Sequence, residues 1–130
     1  MQHLGHTVGT ITSPHLVTWR ERIRVNGRAI PEPDFLRILN ELVPHIDAIE
    51  ASLTATQYFS PQGIFLAVAL RYYDEQNVNA AVLEVGRGGR FDDIAVVPNK
   101  LALFTPITRP RKSKVGPPEL PRLIGASICM

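Results

Sequence analysis

Residues 79–86 read NAAVLEVG, an almost unbroken apolar run that carries a single acid, Glu84, near its end. An apolar run of this length fits a strand buried on both faces of a parallel sheet. Parallel strands need long crossover connections, usually helices, so the segment points to an α/β chain. The acid is the anomaly, because a lone buried carboxylate costs several kcal/mol unless it is paired or coordinated. Glycines follow at once, at positions 86, 88 and 89, interleaved with Arg87 and Arg90.

The rest of the chain supplies the elements such a sheet needs. Val8 to Thr12 is rich in β-branched residues and reads as a short strand, ended by Pro14. Arg22 to Val25 alternates polar and apolar residues, and Asn26-Gly27 then marks a two-residue hairpin turn returning through Arg28 to Ile30. Phe35, Ile38, Leu39, Leu42, Ile46 and Ile49 recur at helical spacing, which predicts an amphipathic helix over 33–50, kinked or split at Pro44. Ser60 and Pro61 supply an N-cap and first-turn proline for a second helix over 61–76. A further strand is expected over Leu101 to Thr105. Helices alternating with strands predict a mostly parallel sheet with flanking helices and a small β-hairpin. Ligands in such sheets bind beyond the carboxyl ends of the strands. The segments there, TSPHL after the first strand and EVGRGGRFDD after the fourth, hold the unusual residues.

Composition narrows the function classes. The longest apolar run, Ile64 to Leu70, is too short to span a bilayer, and the N-terminus has no signal-peptide pattern. With Cys129 the single cysteine, an internal disulfide framework is excluded, and a cytoplasmic setting is expected. The formal charge of +2 is unevenly spread: residues 1–107 sum to −2 and residues 108–130 to +4. The body therefore lacks a basic nucleic-acid face. Residues 108–130, with four prolines and a basic cluster, read as a disordered tail beyond a domain of residues 1–107.

Two readings stay open for Glu84 on residue chemistry alone. It pairs with Arg87 or Arg90, or it binds a hard cation such as Mg²⁺, which prefers carboxylate and hydroxyl oxygens. The glycine turn admits a phosphate beside its arginines or is simply a tight corner. His15 is a loop histidine without zinc-ligand spacing to the others, and Ser13 lies outside a G-x-S-x-G elbow. Neither G-x-x-x-x-G-K-[ST] nor G-x-G-x-x-G occurs.

Three strings taken together resemble the folylpolyglutamate synthase/dihydrofolate synthase family of Mur ligase-type amide ligases. They are VGTITSPHLVTWRERIRVNGRAI (8–30), AAVLEVGRGGRFD (80–92) and LALFTPI (101–107). The resemblance implies part of a Mur ligase-type ATPase domain. It also implies a reaction in which ATP activates a folate carboxylate for attack by the amino group of glutamate. It places Ser13 and Glu84 at Mg²⁺, His15, Arg87 and Arg90 near phosphate, and Thr56, Tyr58 and Asp92 near the folate. Departures are visible. The family's phosphate loop and glutamate-binding C-terminal domain have no counterpart in these residues, DDIA (92–95) stands where the family has D-A-T-N, and Arg87 replaces an apolar residue. The expectation is a ligase fragment, inactive by itself. The alternative is a non-catalytic α/β module completed by a partner chain, or self-associating through an exposed sheet edge.

Overall fold

β1 (Val8–Ile11) and β4 (Ala80–Glu84) lie side by side and parallel at the centre of the sheet, with Ile11 opposite Leu83. This is a computed structural model, and it describes residues 1–86, 89–104 and 125–129. The remaining strands are β2 (Ile23–Val25), β3 (Arg28–Ala29), β5 (Leu101–Phe104) and β6 (Gly125–Cys129); the helices are α1 (Glu32–Ser52) and α2 (Pro61–Glu75). The sheet order is β3-β2-β1-β4-β6-β5. β2 and β6 run against the other four strands, so β1, β4 and β5 point the same way and share one carboxyl-end rim. The α/β layering, the flanking helices and the hairpin match the expected fold class, while among the described strands β1–β4 is the one parallel pairing and the other four are antiparallel.

Local chemistry accounts for these elements. Asn26 and Gly27 adopt φ of 50° and 78°, the left-handed pair that a two-residue hairpin needs. Asn26 also accepts the Val8 amide through its side chain at 2.9 Å, which ties the hairpin to the start of β1. Ser60 caps α2 by accepting the Gln62 amide at 3.1 Å, and Pro61 opens the first turn. α1 is not split at Pro44 but runs through it to Ser52. The missing N–H removes one helical bond. Phe35 and Ile38, which are buried, hold the helix upstream, and Leu39 and Leu42 pack beside them.

The core joins Ile11, Ile23 and Leu83 of the sheet to Phe35, Ile38, Leu66, Val68, Tyr72 and Tyr73 of the helices. β4 is not buried on both faces as the apolar run suggests: Ala81 and Leu83 are buried, whereas Val82 and Glu84 on the alternate face are half-buried. Gly9 is required on the core side, because a Cβ there would meet the Tyr73 ring at 2.9 Å. Burial in turn pushes the Tyr73 phenol well above its ordinary range. Residues 125–129 form β6, so this part of the expected disordered tail is ordered strand, held between β4 and β5 by backbone pairing. At the far edge, β5 leaves Leu101 and Leu103 nearly half exposed.

Charged side chains tie the outer surfaces of the two helices together. The Arg37 guanidinium meets both Glu75 oxygens, at 2.6 and 3.1 Å, and also Glu41 at 2.9 Å. Arg71 adds a 3.1 Å contact to Glu75. The Arg37 contact, with help from Arg71, holds the Glu75 carboxyl below its ordinary value of 4.5.

Two outcomes are expected. Gly9→Ala forces the Tyr73 ring aside and should cost about 1–3 kcal/mol in urea unfolding. Glu75 has a lowered pKa in the folded chain, so its contribution is intact above 4.5 and is lost as pH falls through the folded value. Unfolding followed from about pH 6 to about pH 3 should therefore show a steeper acid loss in the parent than in Glu75→Gln.

Candidate functional site

The parallel register of β1 and β4 carries Thr12 and Ser13 past the sheet rim beside Glu84 and Val85. There the Ser13 amide donates to Glu84 Oε2 at 2.6 Å, a short bond of the charge-assisted kind. Ser13 and Glu84, which the resemblance pairs, are thus within one hydrogen bond of each other. Glu84 is half-buried on the less covered face of β4 and is not a bare charge in the core.

The loop leaving β1 is held by Glu21 and Arg22. Glu21 accepts the Thr18 amide at 3.0 Å and the Leu16 amide at 3.3 Å, and these bonds lower its carboxyl pKa. Arg22 Nε donates to His15 Nδ1 at 3.1 Å, and Nη1 donates to Gln62 Oε1 at 2.8 Å. His15 therefore accepts at Nδ1 from a cation at the rim of the site.

Beyond β4, Asp92 closes the glycine turn. Its Oδ2 accepts the Gly86 amide at 2.9 Å, and its Oδ1 accepts the Ile94 amide at 3.0 Å, capping a 3-10 turn over Asp93–Val96. A Cβ at Gly86 would stand 2.8 Å from Asp92 Oδ2, so the close approach requires glycine. Gly89 has φ of 50°, which also favours glycine. Both Asp92 oxygens are engaged by the loop itself, a role beyond the expected nearness to folate. Arg87 and the Arg90 side chain lie outside the described residues, so the phosphate reading for them has no geometry here.

These segments enclose an open cleft of about 420 Å³, lined by Ser13, Arg22, Tyr58, Ser60, Gln62, Gly86, Phe91, Asp92 and Asp93. Tyr58 reaches it and is 78% exposed. Thr56 does not line it and bonds instead to Thr54, at 3.3 Å between hydroxyls. A larger cleft of about 590 Å³ opens at the other end of the sheet around Asn26, Arg28 and Tyr72, away from Ser13 and Glu84.

Sequence reading missed Arg22 and Gln62. The available signal was local: Arg22 sits between a loop histidine and an alternating strand, and Gln62 occupies the first turn of a capped helix.

The donor set at the rim is one carboxylate and one hydroxyl, both hard oxygens. Among the described residues no cluster of three His, Cys, Asp or Glu side chains stands ready to hold a metal. Two oxygens suit Mg²⁺, which commonly keeps several waters and takes further oxygens from substrate phosphates. The pair fits such an ion and does not make a closed protein cage.

No protein-family profile matches the chain. It is 36% identical over 119 residues to the dihydrofolate synthase/folylpolyglutamate synthase of Bacillus subtilis, covering 89% of this chain and 27% of that protein. The structure superposes on folylpolyglutamate synthase from Thermotoga maritima with a TM-score of 0.65 and 41% identity, over 72% of this chain and 22% of that one. It also matches a bifunctional folylpolyglutamate synthase/dihydrofolate synthase solved with Mn, AMPPNP and L-glutamate, at TM-score 0.59 and 25% identity, over 72% and 21% of the two chains. The chain thus spans about a quarter of the length of the relatives it matches.

Removing the Asp92 carboxylate leaves two loop amides without their acceptor. Asp92→Ala should lose about 1–2 kcal/mol in chemical denaturation and speed hydrogen exchange at Gly86 and Ile94. Asp92→Asn, which keeps one acceptor oxygen, should lose less.

Proposed function

Because this chain is a homologue of one stretch of the folylpolyglutamate/dihydrofolate synthases, we propose that it is the part of an ATP-dependent amide ligase that holds the cation beside the nucleotide phosphates. The substrates of that reading are a folate carboxylate and glutamate. The observation that carries it is the 2.6 Å bond from the Ser13 amide to Glu84 Oε2 at the shared rim of β1 and β4. That bond orients the carboxylate and brings the two residues that carry hard oxygens, Ser13 and Glu84, next to each other.

Ser13 and Glu84 would hold Mg²⁺, whose chemistry is to offset charge on a transferring phosphoryl group. The work of the chain itself is positional. Asp92 keeps the glycine turn closed against β4, and Glu21 keeps the loop after Ser13 from fraying. The cleft between them is wide enough to admit a ligand, and its rim carries Tyr58 and Phe91, flat apolar surfaces beside Arg22. Positioning and preorganised charge supply most of the barrier lowering in phosphoryl transfer. These 130 residues contain no G-x-x-x-x-G-K-[ST] loop, so alone they lack the backbone cradle for the triphosphate.

The test is a transplant. The aligned stretch of the Bacillus subtilis synthase is replaced by this chain, and ADP release dependent on both folate and glutamate is measured. The chimera should retain ligation. Glu84→Gln within it should lower kcat by about 10²-fold or more. The 130-residue chain alone should release no ADP under the same conditions. A folded chimera that is inert, or one indifferent to Glu84→Gln, would sink the assignment.

A further inference from the structure

Arg22 makes contacts in four directions. Its carbonyl accepts the Thr12 amide at 2.9 Å. Its Nε donates to His15 Nδ1 at 3.1 Å, and its Nη1 donates to Gln62 Oε1 at 2.8 Å. The guanidinium lies over the Phe65 ring, 4.8 Å from the centroid. Thr12 and His15 are the residues that flank Ser13-Pro14, so one residue grips both ends of the segment whose Ser13 amide reaches Glu84.

We propose that Arg22 is the positioning residue that holds Ser13 against Glu84 and joins that pair to the first turn of α2. The proposal rests on reading the pair as the cation site of a ligase. The residue type matters. A guanidinium sends donors along diverging directions in one plane while its face packs on a ring, whereas a lysine ammonium is a single compact charge. Gln62 bears on the same point. Its Oε1 turns to Arg22 while its Nε2 is buried with no hydrogen-bond partner among the described residues. Leaving a buried donor unmet is costly, so the bond to Arg22 is what sets the orientation of this amide. Three elements, the β1 exit loop, the start of β2 and the N-terminus of α2, are therefore coupled through one side chain.

A residue that merely stabilised the fold would affect every core amide alike, and this difference is measurable. The isotope-labelled 130-residue chain is followed by amide hydrogen exchange and by Mn²⁺ titration read by electron paramagnetic resonance. In Arg22→Gln, exchange at Ser13 should quicken by about tenfold, while Ile11, Leu83 and Val68 keep their protection. Arg22→Lys, a milder change if the first variant folds poorly, should also loosen Ser13. Mn²⁺ should bind several-fold more weakly in both variants. Unchanged exchange at Ser13, or equal acceleration throughout the core, would overturn the positioning role. Glu84→Gln is the separate arm. If it leaves Mn²⁺ affinity unaltered, the cation reading fails, and the exchange data still decide whether Arg22 holds Ser13.

Discussion

A single hydrogen bond, from a loop amide to a strand carboxylate, decides what the rest of this structure can mean. The Ser13 amide reaches Glu84 Oε2 only because β1 and β4 are parallel neighbours in a register that ends them level. A slip of one residue would turn Glu84 to the core face, where Leu83 now sits, and the charge would have no partner. The bond also resolves the oddity of an acid in an apolar strand. One of its oxygens, Oε2, is met by a backbone amide of the neighbouring loop.

Around this pair the supporting contacts are made mainly by charged or polar side chains acting on backbone amides. Glu21 takes two amides of the loop after β1, and Asp92 takes two in the turn after β4. Each loop thus carries bonds of its own, and each also meets α2, the first through Arg22 and Gln62 and the second through buried Ile94. The helices contribute differently: α2 brings Gln62 and the Ser60 cap to the cleft, and α1 buttresses α2 through apolar contacts and the arginine–glutamate cluster on the outer surface.

Much of this was readable from residues alone, for reasons that differ by element. The Asn-Gly turn, the Ser-Pro helix start and the apolar β4 run each have a local physical cause, and each appeared within a residue or two of its expected place. The three quoted strings carried the likeness to folate ligases, and the comparisons agree with it. What sequence could not convey is whatever depends on contacts between distant segments. Pro44 looked like a break, yet packing of the upstream turns keeps α1 continuous. Residues 125–129 looked featureless, because a strand of Gly, Ala, Ser, Ile and Cys is recruited by ladder pairing and not by its own pattern. Arg22 was overlooked because its partners lie on two segments far apart in the sequence, His15 on the loop after β1 and Gln62 and Phe65 on α2, and the two bonds that Asp92 makes within its own loop have no signature in the residues alone.

The place of β6 has a consequence for how the sheet is wired. Among the described residues β5 joins β4 only through β6, so the far edge hangs in series from one pentapeptide near the C-terminus. Because Cys129 stands opposite Ala81, β6 leaves the sheet at the end where β4 begins. The residues preceding β1 emerge at that end too. A reporter or affinity handle fused at either terminus would thus dangle on the side remote from Glu84, and the cleft would remain open to small molecules.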